Sequence, residues 1–236
     1  MEFRKLEAPS LKELFISELE NMIISGKLQI GERLPSEREL ANSMQVSRAV
    51  VNSGIAEMEK KGFLIVKPRI GTFVEDYRRN GTLETLVSVM NYNGGMMQQR
   101  DIRSLLEVRI IFMTLASKLA IAHASDEEIK GLKPYLERLG QSITAEDAAC
   151  AVFQFSHELA FISGNTLLPL FFISFRELVT SLWVRYCHNY GIPQLYQNTA
   201  TIYEYLIKRD ADGVVEFITV STEDTIDGDR TIYKAN

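Results

Sequence analysis

Cysteine and histidine are scarce in this sequence, which has two cysteines and three histidines among 236 residues. Cys150 and Cys187 lie far apart and form no C-x-x-C pair, which excludes the short-spaced zinc and redox motifs. Two isolated cysteines in a chain of this size are typical of a protein that keeps buried thiols in a reducing compartment. The sequence therefore favours a cytoplasmic location.

Long apolar runs are lacking as well. The longest, residues 167–173, contains Pro169 and is far shorter than the roughly 20 residues that a membrane-spanning helix needs. The chain does not open with a basic segment followed by an apolar core, so we expect no secretory signal. Because 46% of the residues are apolar and 24% are charged, we expect a soluble globular protein without membrane contacts.

A surplus of positive charge, which is common in nucleic-acid-binding proteins, is also absent, since the net charge is −5. The charge is unevenly distributed, because residues 1–80 carry 13 Lys/Arg against 12 Asp/Glu and residues 81–236 carry 13 against 19. A nearly neutral region still attracts DNA if its basic groups share one face, because the local potential governs the approach of a charged partner. Composition thus neither predicts nor excludes DNA binding.

The N-terminal region contains a pattern of helix starts and stops. Ser10 and Ser36 are each followed three residues later by glutamate, which is the capping-box arrangement, and Gly26 and Gly62 are placed to end helices. The predicted helices and their caps are 11–25 after Ser10, about 37–44 after Ser36, and about 48–61 after Ser47. Beyond them, two β-branched and aromatic runs flank residues 68–71, which predicts a hairpin. Three helices followed by a two-stranded wing are the elements of a winged helix-turn-helix.

The remainder of the chain has helical spacing throughout. We predict a winged helix-turn-helix DNA-binding domain at 1–75, a polar linker at 76–82, and a helical effector-binding and dimerisation domain at 83–236. The six or seven helices of that last domain are expected near 83–92, 98–123, 126–139, 144–163, 166–189, 195–208 and 211–226. The fold class is therefore mainly α, with an N-terminal winged helix-turn-helix and a C-terminal all-helical bundle.

The start of the third helix carries the candidate base-reading residues, because this turn of a helix-turn-helix enters the major groove. Arg48 can donate two hydrogen bonds to a guanine edge, and Ser47 with the free backbone N–H groups suits a phosphate oxygen. Asn52, one turn further on the same face, can read an adenine edge or bind a phosphate. Singly, each would usually be a solvated surface residue, and it is the order of elements that favours a function. The candidates for the DNA backbone and the minor groove are Arg38, Lys67 and Arg69.

A family resemblance appears at these residues, which read LPSERELANSMQVSRAVVNSGIAEMEKKGFLIVKPRIGTFV. The segment resembles the DNA-binding domain of the GntR superfamily, and the resemblance covers about residues 11–75. It implies DNA contacts by Arg38, Ser47, Arg48, Gly71 and Thr72. The chain departs from the family pattern at Asn52, where arginine is usual, and at Ala49 and Val50, where many members have a polar residue. We therefore expect an operator that differs from the common family half-site.

The second domain resembles the FadR subfamily, including its fatty-acid regulators, through DIRSLLEVR at 101–109 and FSHELAFISGN at 155–165. Most members bind a divalent metal through one Asp and three His. The resemblance places these ligand positions at Val152, Ser156, Thr199 and Ser221. None of these is a good metal ligand. His157 is adjacent to one position, but a shift of one residue turns a helical side chain by about 100°. We predict no metal and no other cofactor.

The resemblance also implies an effector site at Arg109, which matches a pocket arginine, and at Tyr190, which matches a pocket tyrosine. A buried arginine requires an anionic or strongly accepting partner, which fits an organic acid or an acyl-CoA. An internal salt bridge of Arg109 with Glu107 or Glu158 is the alternative. The aromatic residues that either line an apolar pocket or simply form core are Phe153, Phe155, Phe161, Phe171, Phe172, Phe175 and Trp183.

The sequence as a whole predicts a ligand-responsive transcriptional regulator, more often a repressor than an activator. We expect it to bind a palindromic operator in double-stranded DNA as a homodimer, since two half-sites bound together raise affinity. Because the sequence has no nucleophile elbow, P-loop, Rossmann glycines or paired-carboxylate motif, we predict no catalytic residues. Two alternatives stay open: an orphan regulator whose helical domain only dimerises, and an enzyme fused to a DNA-binding head.

Overall fold

A computed structural model describes residues 9–92 and 99–233. Their contacts divide the chain into two compact units, Met1–Met97 and Gln98–Asn236. The described part of the first unit contains helices and one hairpin, and that of the second consists of helices and their connections. The predicted fold class, mainly α, is confirmed.

The first unit begins with the predicted three helices and the wing. Its elements are α1 (Leu11–Ile24), α2 (Glu37–Ser43), α3 (Arg48–Lys60), β1 (Leu64–Lys67), β2 (Gly71–Val74), α4 (Tyr77–Asn80) and α5 (Leu83–Asn91). The capping boxes at Ser10 and Ser36 are both formed. Ser47 caps α3 by accepting a hydrogen bond from the backbone N–H of Val50 at 3.3 Å. The predicted winged helix-turn-helix is thus present, with Arg48 as the first residue of its reading helix.

The hairpin is joined by backbone pairing to the segment that precedes α2. β1 and β2 are antiparallel neighbours, and Arg33 forms a further bridge to Phe73 of β2. Leu34 donates its backbone N–H to the carbonyl of Thr72 at 2.9 Å. The segment before α2 therefore lies beside the wing and holds both elements at one surface.

The core of the first unit lies between α1, α3 and the hairpin. Phe15, Val51, Met58 and Phe63 are at most 2% exposed. A Cβ atom at Gly54 of α3 would collide with the Phe15 ring, so glycine allows α1 and α3 to approach closely. This packing holds the reading helix rigidly against the rest of the unit.

The segment predicted as a linker contains α4, and α5 packs within the first unit. Glu20 of α1 accepts hydrogen bonds from Lys61 Nζ and from Ser88 Oγ of α5, each at 2.9 Å. The Ser88 bond holds α5 to α1, and the contacts divide the chain after residue 97, whereas the predicted domain boundary is at 82. The functional assignment of 1–75, 76–82 and 83–236 stays a prediction.

The second unit is a bundle in which α6 packs against α9 and α13, and α9 also packs against α11. Its elements are α6 (Gln99–His123), α7 (Asp126–Lys130), α8 (Lys133–Gly140), α9 (Ala145–Ile162), α10 (Leu168–Ser174), α11 (Arg176–Tyr190), α12 (Ile192–Lys208) and α13 (Ala211–Asp227). Met113, Phe155, Leu159 and Leu206 are buried at its centre. Among the described residues, no helix is both long and apolar enough to cross a bilayer.

Two helices expected from the sequence are each divided in the structure. The segment 126–139 is interrupted after Lys130, and Pro134 lies in the first turn of the next helix, where its missing N–H costs no hydrogen bond. The segment 166–189 is interrupted at Phe175, whose backbone has φ −101° and ψ 8°. The Phe175 side chain is 9% exposed. This second break accompanies the burial of an aromatic side chain, which local spacing does not predict.

Candidate DNA-binding groove and effector cavity

A groove lies between the starts of α2 and α3 and the wing. It is lined by six of the eight residues predicted to contact DNA, namely Arg38, Arg48, Lys67, Arg69, Gly71 and Thr72. The other two do not line the groove: Ser47 caps α3 just before Arg48, and Asn52 lies one turn after Arg48. The fold thus brings together basic residues from three separate places in the sequence.

The groove is cationic although the whole chain is acidic. Its five cations are Arg33, Arg38, Arg48, Lys67 and Arg69, and its two carboxylates are Glu37 and Glu39. Glu39 accepts hydrogen bonds from the hydroxyl and the backbone N–H of Ser36, which lower the pKa of Glu39. Five positive charges against two negative ones give a local charge of +3. This local potential is what attracts a polyanion.

The leading turn of α3 is accessible to a partner. Arg48 is exposed, and so is its neighbour Ser47, which caps the helix. The first backbone N–H groups of a helix have no intrahelical partner, so this turn also offers donors to an anion. An exposed arginine beside such donors can reach a base edge while the backbone holds a phosphate.

Asn52 is exposed one turn beyond Arg48, but its amide is engaged. Assigned by hydrogen bonding, the amide nitrogen donates to Glu37 Oε2 at 2.8 Å and to the carbonyl of Arg48 at 3.1 Å. This bond links α2 to α3 and holds a carboxylate beside the reading turn. The predicted contact of Asn52 with an adenine edge would therefore compete with its bond to Glu37.

The wing adds two basic side chains. Lys67 Nζ lies 5.0 Å from the centre of the Phe73 ring, and Arg69 adopts the left-handed φ of 63° in the hairpin turn. Gly71 has φ 140°, and a Cβ atom there would lie 2.7 Å from Arg33 Nε. Glycine therefore leaves room for the Arg33 side chain at the base of the wing.

In the second unit, a cavity is lined by residues of α6, α9, α11, α12 and α13. All four positions that the resemblance assigned to metal ligands line it: Val152, Ser156, Thr199 and Ser221. Ser156 donates its hydroxyl hydrogen to the carbonyl of Val152, and Thr199 donates to that of Leu195, both at 2.9 Å. These hydroxyls leave neutral oxygen atoms at the wall of what we call the polar cavity.

Arg109 of α6 lines the polar cavity and is the single charged residue among the described residues of its lining. Its Nη1 donates to Thr222 Oγ1 at 2.7 Å, and its guanidinium lies 4.6 Å from the centre of the Trp183 ring. Burial lowers the pKa of Arg109 to about 10, so the guanidinium is protonated at neutral pH. The residue nevertheless retains some accessible surface.

No ion pair of Arg109 occurs within the ranges 9–92 and 99–233. Glu107, one of the two acids predicted as its alternative partner, lies 3.1 Å from Arg103 instead. A largely buried cation that has a hydroxyl and an aromatic ring as partners, but no carboxylate, has its desolvation only partly offset. The polar cavity therefore favours an anion.

A second cavity shares Arg109, Met113, Ser156 and Trp183 with the polar cavity. We call it the apolar chamber, because nearly all of its lining is hydrocarbon. Five of the seven aromatic residues singled out from the sequence line it, namely Phe153, Phe171, Phe172, Phe175 and Trp183. Phe155 lines the polar cavity, whereas Phe161 is 56% exposed.

Tyr190, the second predicted effector residue, lies outside both linings. Its hydroxyl donates to the carbonyl of Thr231 at 2.7 Å, which anchors the segment after α13. The Tyr186 ring, 5.1 Å away between centres, lines the polar cavity in its place. The structure thus brings Tyr186, rather than Tyr190, to the cavity that contains Arg109.

Two family models match the chain. The model for bacterial regulatory proteins of the gntR family matches residues 12–74, and the FCD domain model matches residues 104–222. The second match covers 119 of the 236 residues, which is just over half of the chain. The chain belongs to the GntR family, with an FCD domain. The FCD match agrees with the resemblance of the 101–109 and 155–165 segments to FadR-type effector domains.

Several GntR-family regulators are similar to this chain. LutR of Bacillus subtilis is 30% identical over 149 residues, which cover 62% of this chain and 65% of LutR. Mce2R of Mycobacterium tuberculosis is 28% identical over 55% of this chain and 54% of its own length. The chain thus spans about half to two thirds of the length of these two relatives. The transcriptional repressor NanR of Salmonella newport is 26% identical over 89% of this chain and 81% of NanR.

The solved structure of Lar, which controls the expression of the Listeria monocytogenes agr system, shares the fold. The TM-score is 0.61 at 16% identity, over 94% of this chain and 97% of that chain. LutR, Mce2R and NanR are named as transcriptional regulators rather than as enzymes.

The FCD cavity of this GntR-family chain does not fit a divalent metal. Three of its four ligand positions carry neutral hydroxyls and the fourth, Val152, carries no donor, whereas zinc-type sites need imidazole, thiolate or carboxylate. His157 lies outside both linings, with Nε2 3.1 Å from the carbonyl oxygen of Pro169. In the part of the chain that the structure describes, no group of three or more His, Cys, Asp or Glu could hold an ion.

Several residues of the two sites were not predicted from the sequence. Arg33 and Glu37 line the groove, and their only sequence signal is their position around the Leu-Pro-Ser segment. Tyr186 and Thr222 line the polar cavity. Only the packing of α13 against α6 brings Thr222 into contact with Arg109.

Proposed function

We propose that this chain is a ligand-responsive transcriptional regulator that binds operator DNA through the groove of its first unit. The observation that carries the proposal is the excess of five cations over two carboxylates around the exposed turn of Arg48. Lys and Arg contacts to phosphates supply most of the sequence-independent affinity for DNA. An arginine at the start of a reading helix adds sequence specificity, because it can hydrogen-bond to the edge of a base. In this role Ser47, Gly71 and Thr72 contact the phosphate backbone.

The test is operator binding by the Arg48→Ala variant. An operator is first selected from random or genomic DNA, and its affinity is then measured by fluorescence anisotropy at fixed salt. We expect Arg48→Ala to weaken specific binding by about 1–3 kcal/mol. Lys60→Ala is the matched control, because Lys60 is a cation at the opposite end of the same helix. Equal affinities for wild type and Arg48→Ala would remove Arg48 from the interface.

The proposal includes a homodimer on a palindromic operator and repression as its outcome. A helix-turn-helix that reads one half-site gains affinity when a two-fold axis places a second copy one helical turn away. Repression is favoured by the name of the relative NanR. Footprinting should show two symmetric half-sites, and sedimentation should give two chains per operator. A single protected half-site with one chain would contradict this part.

The second unit is proposed to bind the effector, an organic acid or an acyl-CoA, at Arg109. The support is the cation that lacks a carboxylate partner beside the hydroxyls of the polar cavity. A second candidate is favoured by the loss of the metal-binding side chains: a helical domain that only dimerises. Ligand-induced thermal shift separates the two, because a ligand that binds only the folded state raises the melting temperature. No shift with any acid or thioester would support the dimerisation module.

A further inference from the structure

The apolar chamber has no role in the function proposed so far. Residues of α6, α10 and α11 line it, including Phe112, Phe172 and Val179. Phe112 contributes to aromatic packing with Phe171, at 5.2 Å between ring centres. A cavity lined mostly by hydrocarbon is suited to alkyl or aryl groups, and away from Arg109 and Ser156 it gives a hydroxylated ligand no partner for its polar groups.

Arg109 lies where the chamber and the polar cavity meet. It lines both, as do Ser156 and Trp183. A ligand whose anionic group meets this guanidinium can therefore extend hydrocarbon into the chamber while its oxygens face the hydroxyls of Ser156 and Thr222. The two cavities together are therefore suited to an amphiphilic ligand with a charged head and an apolar tail.

The residues that line the two cavities indicate how many negative charges the head of the ligand carries. Among the described residues that line either cavity, Arg109 is the single charged one. One guanidinium can pair with one carboxylate through two parallel hydrogen bonds. The several phosphate charges of a coenzyme A moiety, or the second carboxylate of a diacid, would be left without partners, and a buried unpaired charge is costly.

We propose, building on the effector role of Arg109, that the effector is a free monocarboxylic acid with a medium-length alkyl or aryl tail. Its carboxylate binds Arg109 directly, in the cavity where the metal-ligand positions carry hydroxyls, and its tail occupies the apolar chamber. Binding is therefore independent of divalent metal. Affinity grows with tail length, by about fourfold for each methylene that the chamber buries.

Trp183 provides a direct readout, because it lines both cavities and is the one tryptophan in the sequence. The probes are butyrate, hexanoate, octanoate, 3-phenylpropanoate, lactate, glutarate and octanoyl-CoA, each titrated with the full chain in EDTA. The bromine of 8-bromooctanoate should quench Trp183 fluorescence on binding, because heavy-atom quenching requires contact. We expect affinity to rise from butyrate to octanoate and quenching to follow the binding curve.

Two variants separate the chamber from the head site. Val179→Trp fills the chamber and should weaken octanoate at least tenfold with little effect on butyrate. Val184→Trp is the matched control, because Val184 is partly buried on the same helix but lines neither cavity. If Val179→Trp fails to fold, the quenching of the wild type by 8-bromooctanoate still tests where the tail lies.

The outcomes distinguish this inference from the proposed function. Three results would each overturn the free-acid inference while leaving an effector site in place. They are an affinity that does not change with tail length, tighter binding of octanoyl-CoA than of octanoate, and loss of binding in EDTA. Binding of acids that is unchanged in Arg109→Met would overturn the head contact as well. The absence of binding by every probe would overturn both the inference and the effector role, but not the DNA-binding groove.

Discussion

Asn52 is the residue at which the reading helix departs from the GntR pattern, and the structure shows a consequence. Its amide donates a hydrogen bond to the carboxylate of Glu37, which lines the groove, whereas the usual arginine would offer several donors to DNA. We expect Asn52→Arg to add a DNA contact, to tighten binding by about 1–2 kcal/mol, and to shift the selected operator towards guanine. Operator selection with both proteins tests this, with Asn42→Arg as a control for added charge. The same selected sequence from both would contradict it.

The burial of Arg109 both lowers the stability of the folded state and prepares the guanidinium to bind an anionic effector. Burial lowers its pKa to about 10, so below that pH the folded state contains a charge that the unfolded state would solvate better. We expect Arg109→Met to leave the free energy of unfolding unchanged or to raise it by up to about 1 kcal/mol, while abolishing the response to acids. The difference from wild type should shrink as pH rises above 10, because the folded wild type then sheds the charge.

Urea unfolding of the two proteins at several pH values provides this measurement. A loss of stability in Arg109→Met of more than about 1 kcal/mol would mean that the arginine is a structural group rather than a ligand anchor.

At the scale of elements, the start of α2 depends on its capping box. We expect Ser36→Ala to lower the free energy of unfolding by about 1 kcal/mol, and Ser43→Ala, at the other end of α2, to change it by less than about 0.5 kcal/mol. The bonds from Ser36 lower the pKa of Glu39 from its usual 4.5. This contribution is thus present at neutral pH and is lost as pH falls through the lowered pKa. Equal losses in both variants would contradict the capping role.

The elements that could be predicted are those whose signals are local. Serine caps, glycine stops and the hairpin turn fix the winged helix-turn-helix, because each acts within a few residues. The break at Phe175 could not be predicted, because it accompanies the burial of an aromatic side chain in the apolar chamber. The contact of α5 with α1 is likewise not a local signal, because the bond from Ser88 to Glu20 joins residues that are distant in the sequence.

At the scale of the whole molecule, the amino-acid composition indicates neither the DNA-binding groove nor the polar cavity. The net charge of −5 gives no hint of a groove with a local charge of +3, because the groove is assembled by backbone pairing between the wing and the segment before α2. Similarly, family spacing located the polar cavity through four positions that lack metal ligands. It did not indicate that Thr222 and Trp183 would surround Arg109.

The last prediction follows from this local charge. If the groove binds DNA, the logarithm of affinity should fall linearly with the logarithm of salt concentration, and each groove cation removed should reduce the slope by about 0.9 per bound chain. Arg33→Ala tests a contact that the sequence did not suggest, and Lys118→Ala, an exposed lysine of α6, serves as the control. An unchanged slope in Arg33→Ala would place that arginine outside the phosphate contacts. A reduced slope in Lys118→Ala would mean that charge outside the groove also contacts DNA.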